Sequence, residues 1–270
     1  MTIPKIIATD LDGTFFNDSH SFNHDKLAKL LDYLDANNGH FIVATGNSRN
    51  VVDAVFAEFI GRFDYLIQNG AEIITKENRT LSLKTINPLH LETVKTVIQN
   101  SPLESGFGNI YTTSKNGYML ATDKGKGFNY QAAVEEFPEL VFINSLNEIP
   151  DPVIKVIVNW PEAKAMSMVN ELNIALDGAA TVTTSGNGYI DVIAGGVNKA
   201  EGLKIFGEYY DVPFSDMAAF GDNLNDFEML SEVGHPIAMI NGHEKLLSQF
   251  ELSVASNDDD GVLDTINSWM

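Results

Sequence analysis

Two carboxylates separated by one residue, Asp10 and Asp12, follow the apolar run Ile6-Ile7-Ala8, with Leu11 between them and Gly13-Thr14 after them. Such a pair suits a division of labour: one carboxylate ligates a cation and attacks, while the other handles a proton. An isolated Asp-x-Asp-Gly could be no more than an acidic turn, but its place at a strand end argues for chemistry. A second acidic loop, Gly221-Asp222-Asn223-Leu224-Asn225-Asp226, follows Met217-Ala218-Ala219-Phe220, and its two further carboxylates and two side-chain amides are hard to explain as packing. Thr45-Gly46-Asn47-Ser48 closes the run Phe41-Ile42-Val43-Ala44 ahead of a helical stripe. A hydroxyl and free backbone N–H groups at a helix start make a seat for an anion, although Ser48 could equally be a simple N-cap. Lys199 opens a helix after Gly195-Gly196-Val197-Asn198. Taken alone, a lysine there is an ordinary surface residue.

A charge count joins these pieces. Ionised Asp10, Asp222 and Asp226 carry -3 and a phosphate dianion -2, for a total of -5. Each like-charge pair about 4 Å apart costs roughly 4 kcal/mol at an effective dielectric near 20. One divalent cation (+2) and Lys199 (+1) offset three of those charges, and hydrogen-bond donors absorb the rest. Ligands that are all oxygen favour Mg²⁺ over zinc. The same cations would neutralise charge on a transferring phosphoryl group.

Loops that converge in this way need strands to carry them. Leu27, Leu30, Leu31 and Leu34 follow at helical spacing, with Gly39 placed for a C-cap. Val52, Val55, Phe56 and Phe59 form a second stripe ending at Gly61, and Tyr65-Leu66-Ile67 a third strand ending at Gln68-Asn69-Gly70. Asn69 and Gly70 either shape the site or form a plain turn. The same alternation resumes after Lys199, with helix starts near Lys199 and Asn225, strands at 217–220 and 237–239, and a helix around Leu246-Leu247-Phe250. Alternating strands and helices predict a doubly wound α/β core with a parallel sheet, built from 1–83 and 195–270. Residues 84–194 differ in texture: helices are expected from Pro88 and Pro161, and a hairpin is expected around Ser185-Gly186-Asn187-Gly188. This predicts an inserted α+β domain.

The 270-residue chain has 17 basic and 37 acidic residues, a formal net charge of -20, which disfavours nucleic acid and anionic membranes as partners. With no cysteine, disulfides, thiolate metal sites and a cysteine nucleophile are excluded. The start lacks signal-peptide architecture and no apolar run reaches membrane-spanning length, so a cytoplasmic protein is expected. His20 and His24 have metal-like spacing, but they precede a helix without an evident third ligand and are expected in solvent. Asp258-Asp259-Asp260 is expected as a solvated loop.

Asp10-Leu11-Asp12-Gly13-Thr14, Ala44-Thr45-Gly46, Lys199 and Gly221-Asp222-Asn223-x-Asn225-Asp226 together resemble the four motifs of the haloacid dehalogenase superfamily. Their order and the place of the insert resemble its Cof-type branch. The Asp-Gly-Thr-Phe-Phe-Asn-Asp opening, Thr45-Gly46-Asn47 and Thr184-Ser185-Gly186-x-Gly188-Tyr189-Ile190-Asp191 are similar to its sugar-phosphatase members. The resemblance implies a Rossmann-like core with 84–194 as a cap that sets substrate specificity. It also implies Asp10 as nucleophile, Asp12 as acid and then base, and Mg²⁺ on Asp10, the Asp12 carbonyl and Asp222. Thr45, Gly46, Lys199, Asn225 and the Leu11 backbone would contact phosphate, and Asp226 would orient its neighbours. Asn47 departs from the pattern, since many Cof-type members carry arginine after the Thr-Gly pair. The expectation is a phosphatase of small phosphorylated metabolites, sugar phosphates foremost, with no obligatory protein partner. A phosphotransferase or phosphomutase, or a non-enzymatic phospho-aspartate signalling module, are the alternatives.

Overall fold

The computed structural model describes residues 3–137 and 140–269, with Glu136 and Ser185 described by backbone alone. The chain forms two compact units, Met1–Leu83 together with Asn198–Met270, and Lys84–Val197.

The first unit opens with β1 (Ile6–Thr9), α1 (His24–Ala36), β2 (His40–Ala44), α2 (Arg49–Val55), β3 (Asp64–Ile67), β4 (Glu72–Ile74) and β5 (Thr80–Leu83). The Asn23 side chain caps α1 by accepting the Lys26 N–H, and Leu27, Leu30, Leu31 and Leu34 are the buried stripe. The left-handed residue after α1 is Asn38, with φ 52°, rather than Gly39; an asparagine tolerates that conformation. Gly39 N–H instead closes on the Leu34 carbonyl at 2.7 Å. The Val52–Phe59 stripe is also not one helix. α2 ends at Val55, and a separate 3-10 turn, Ala57–Phe59, carries Phe59 inward.

The second unit contains α3 (Pro88–Asn100), β6 (Ile110–Thr112), β7 (Gly117–Leu120), α4 (Tyr130–Glu136), β8 (Val141–Ile143), β9 (Lys155–Asn159), α5 (Ala165–Leu176), β10 (Ala180–Gly186) and β11 (Tyr189–Ala194). Pro88 occupies the first turn of α3 behind an Asn87 cap, whereas Pro161 precedes a 3-10 turn and α5 starts at Ala165. The sheet order is β10-β11-β9-β6-β7-β8, antiparallel except where β8 joins β7. Leu91, Val94 and Ile98 of α3 and Met168 and Leu172 of α5 pack with Val156, Val158, Ile190 and Val192. Asn187 and Gly188, at φ 51° and 77°, make the two-residue turn between β10 and β11. This unit extends to Val197, three residues past the end expected at 194, because Gly195 and Val197 N–H groups donate to Ala179 and Ala194.

The first unit resumes with α6 (Lys199–Tyr210), β12 (Met217–Gly221), α7 (Phe227–Glu232), β13 (His235–Ala238), α8 (Glu244–Leu247), β14 (Glu251–Leu252) and α9 (Gly261–Asn267). Its sheet runs β14-β13-β12-β1-β2-β3-β4-β5 and is parallel from β14 to β3. β4 and β5 are an antiparallel extension. Ile7, Phe41, Val43 and Phe220 share a core with Leu27, Leu31 and Val262. Ile6, Ala8, Ile42 and Leu66 belong to a second core with Leu203, Phe206 and Met229. Helices thus cover both sheet faces. Successive strands leave β1 in opposite directions, so the C-terminal ends of β1 and β12 flank the switch point where such sheets bind ligands.

The Asp258–Asp260 run is solvated as expected, with Asp258 and Asp259 exposed, but it is not free of contacts. Asp258 accepts the Asp18 N–H at 2.9 Å, while Asp260 accepts from Asn23 Nδ2 at 3.0 Å and pairs with Lys26 at 2.9 Å. These contacts hold the run against the start of α1.

Candidate active site

Asp10 leaves β1 with its N–H still bonded to the Phe220 carbonyl at 3.0 Å, so its position is set by the β1–β12 pairing. Lys199 comes from the first turn of α6, where the Asn198 side chain caps the helix by accepting the Glu201 N–H. Lys199 is 1% exposed, and its ammonium donates at 2.6 Å to Asp10 Oδ1 and at 2.6 Å to Asp226 Oδ1. The other oxygen of Asp226 accepts the backbone N–H groups of Asp222 and Asn223, forming a capping box with Asn223. Asp222 accepts the Thr14 hydroxyl at 2.7 Å. At Gly13, φ is 75° and an added Cβ would stand 2.6 Å from Asp222 Oδ2, so the turn requires glycine for both reasons.

Burial pushes the Asp10 carboxyl well above its ordinary range, against the pull of Lys199, and Asp226 and Asp222 add to the push. Asp222 is pushed up to about 6, by burial first and then by Asp226. Burial alone would lower Lys199, but Asp10 and Asp226 hold it above its ordinary value. The site is therefore short of positive charge.

Thr45 is buried at the end of β2; its N–H donates to Leu66 and its hydroxyl accepts the Asn47 N–H at 3.1 Å. Gly46 follows it at the mouth of the same turn, and Leu11 is buried between the paired carboxylates. Asn225 Nδ2 donates to Asn69 Oδ1 at 3.2 Å, which links the β12 loop to the end of β3. Asp12 has a different environment from Asp10. Its side chain is 52% exposed, and it meets Asn47 Nδ2 at 2.8 Å and His20 Nδ1 at 3.4 Å. His20 and His24 are indeed exposed, but His20 sits beside Asp12 and His24 beside Glu58.

Carboxylate oxygens of Asp10, Asp222 and Asp226 all lie within 4.8 Å of one another. With all three ionised (-3) and one ammonium (+1), the cluster carries -2, a charge that one divalent cation cancels. Asp226 already has both oxygens engaged, whereas the hydrogen bonds described for Asp10 and Asp222 use one oxygen each. An all-oxygen donor set of this charge fits Mg²⁺. The Asp12 carboxylate is not in this group. Sequence reasoning assigned no role to the Thr14 hydroxyl or to the contacts of Asn47 and His20 with Asp12. Thr14 was signalled by its place in the motif, while nothing in the spacing of His20 indicated that the β1–α1 loop folds back.

Comparison with known proteins agrees with this geometry. Residues 7–266 match the family described as haloacid dehalogenase-like hydrolase. The chain is similar to the 5-amino-6-(5-phospho-D-ribitylamino)uracil phosphatase YbjI of Escherichia coli, at 25% identity over 97% of this chain and 95% of that one. Its similarity to the Bacillus subtilis phosphatase YitU, named for the same substrate, is 26% identity over 97% and 96% of the two chains. The solved structure of SMU.1108c from Streptococcus mutans superposes with a TM-score of 0.90 at 27% identity, covering 98% of both chains.

Proposed function

The chain belongs to the haloacid dehalogenase-like hydrolases and is a phosphatase, and from that premise we propose that it hydrolyses small sugar and sugar-alcohol phosphates through a phospho-aspartate on Asp10. The observation that carries this reading is the Lys199 ammonium bridging Asp10 and Asp226 beside Asp222, at the switch point of the sheet. Lys199 engages Asp10 Oδ1, which would also ligate the cation, leaving the other oxygen to attack phosphorus. As that P–O bond forms, the bond to the leaving oxygen breaks, and Asp12 supplies the proton the leaving oxygen needs. Asp12 then takes a proton from water as it attacks phosphorus, the P–O bond to Asp10 breaks, and inorganic phosphate leaves. The Thr45 hydroxyl, the Gly46 and Leu11 backbone, Lys199 and the Asn225 amide hold the phosphoryl oxygens. Asp10, Asp222 and the Asp12 carbonyl would hold Mg²⁺, which when bound neutralises charge on those oxygens.

All of these groups serve phosphate, metal or proton, so choice among substrates falls to the unit Lys84–Val197, acting as a cap, with the Asn187–Gly188 turn as a reading element. Two relatives named for a phosphoribityl substrate support an alcohol as the leaving group. The test is phosphate release with Mg²⁺ from a panel of sugar phosphates, sugar-alcohol phosphates, nucleotides and phosphopeptides. Sugar and sugar-alcohol phosphates should be cleaved best, with one phosphate freed per alcohol. Alcohol released without phosphate would instead identify a phosphotransferase.

A further inference from the structure

A general acid works from a fixed place, yet Asp12 is more than half exposed while Asp10 and Asp226 are buried. A short carboxylate in water samples several rotamers, and a displacement of about 1 Å at a reacting group can cost on the order of 10²-fold in rate. Asp12 is nevertheless held by two side chains, one of them from outside its own loop. Asn47 Nδ2 donates to Asp12 Oδ2 at 2.8 Å, and His20 Nδ1 stands 3.4 Å from Oδ1. Asn47 is itself anchored at both backbone groups: its N–H donates to Thr45 Oγ1 at 3.1 Å, and its carbonyl accepts the Gln68 N–H at 3.1 Å. It therefore rides on the ends of β2 and β3. An ionised carboxylate only accepts hydrogen bonds, so the amide nitrogen is the atom that must meet it.

We propose that Asn47 is a positioning residue that holds Asp12 in the orientation from which it protonates the leaving oxygen, with His20 as a looser second contact. This rests on the reading of Asp12 as the acid. With the amide donor on Oδ2, Oδ1 is left to carry the proton. When the ester P–O bond breaks, its electron pair goes to the leaving oxygen, which takes that proton as phosphorus bonds to Asp10. The contribution of Asn47 is then largest where the leaving oxygen is most basic. A residue that only supports the fold, or only binds phosphate, would affect good and poor leaving groups alike.

The experiment compares phenyl phosphate with p-nitrophenyl phosphate, esters of like shape whose leaving oxygens differ in basicity, in the Mg²⁺-supplemented enzyme. Asn47→Leu keeps the bulk and removes the donor, and Asn47→Ala is the second variant should leucine fail to fold. Either should lose about tenfold in kcat/KM, which reports the step in which the leaving oxygen departs, on phenyl phosphate, less than the 10²–10⁴-fold typical of losing the acid, and about twofold or less on the nitrophenyl ester. KM should stay close to wild type for both. His20→Ala should shift the ratio in the same sense by less. On an Asp12→Asn background, the Asn47 substitution should add no further loss. Equal losses on both esters, or independent losses in the double variant, would overturn the proposal. If Asp12→Asn keeps wild-type rates, the assignment of the acid fails; if only the Asn47 variants do, the positioning role alone fails.

Discussion

Gly70, at φ 97°, lies so close to Asn198 that a Cβ on it would overlap the Asn198 carbonyl oxygen. Asn198 caps α6, and Lys199 is the first residue of that helix. The end of β3 thus buttresses the backbone that delivers the ammonium to Asp10. Gly70→Ala should cost about 1–3 kcal/mol through overpacking and lower the melting temperature. It should also slow turnover by displacing Lys199. Gly61 is the control: its φ is 86° with nothing within 4 Å of an added Cβ, so Gly61→Ala registers backbone strain alone. If the two variants match in kcat, the buttress has no part in activity.

Asp10→Asn should abolish phosphate release, because an amide is a poor nucleophile and a weaker cation ligand. Asp12→Asn should fold normally yet lose about 10²–10⁴-fold, the usual worth of a general acid. Steady-state phosphate release by each purified variant decides the matter, and wild-type turnover in either would remove its residue from the mechanism.

Mg²⁺ binding should depend on pH in a definite direction. Asp222 is pushed up to about 6 from an ordinary 3.8, so between those values the folded protein holds a proton that the unfolded chain has released. Metal-free protein therefore loses stability from this group as pH rises through that window. A cation binds the ionised form, so its affinity should fall about tenfold per pH unit below 6 for each displaced proton. Mg²⁺ should raise the melting temperature at pH 7.5 far more than at pH 5, and Asp222→Ala should abolish most of that rise. EDTA should silence the enzyme until Mg²⁺ is restored. Full activity in chelated, dialysed protein would contradict the metal assignment.

At the opposite end of the sheet, His40 Nδ1 and Asp64 Oδ2 are buried 3.8 Å apart, and among the described residues neither atom has a hydrogen-bond partner. Burial pushes Asp64 up to about 6, against hydrogen bonds from the Lys76 N–H and the Tyr210 hydroxyl, and pulls His40 down to about 4. The Asp64 contribution to stability falls as pH rises from 3.8 to about 6, whereas the His40 contribution rises between about 4 and 6.5. The two slopes oppose each other. Asp64→Asn removes only the first, so it should gain on wild type by about 3 kcal/mol between acid and neutral pH. Urea unfolding of both proteins at pH 4 and pH 7 measures the swing, and a constant difference would show that Asp64 titrates normally.

The loops of the candidate site were legible because each follows a short apolar strand, and an acidic side chain at such an end has few structural uses. Asp10 and Asp222 read that way, while Thr45 gained meaning only beside them. Lys199 was legible only in company, since nothing local distinguishes a lysine after an Asn cap from a surface one. β5 was missed because Thr80–Leu83 has no buried residue and so no apolar alternation to read, and β4, buried at every position, is only three residues long. Asn38 displaced Gly39 as the left-handed residue because both tolerate that backbone, and spacing alone does not choose between them. His20 and Asn47 could not be joined to Asp12 from periodicity, because a loop folding back is a tertiary event.

The pairing of β1 with β12 has a consequence for synthesis on the ribosome. Ile6 lies beside Met217, so one side of the central strand must wait for more than two hundred further residues before it gains its neighbour. At about 5–20 residues per second, that is on the order of 10–40 s in which an apolar strand edge stands open. The second unit, Lys84–Val197, is complete within that interval and has its own sheet and apolar core. Slowed translation after Val197 should therefore lengthen the exposure of β1 and raise the aggregated fraction of newly made chains, while the same pause placed after Met270 should not.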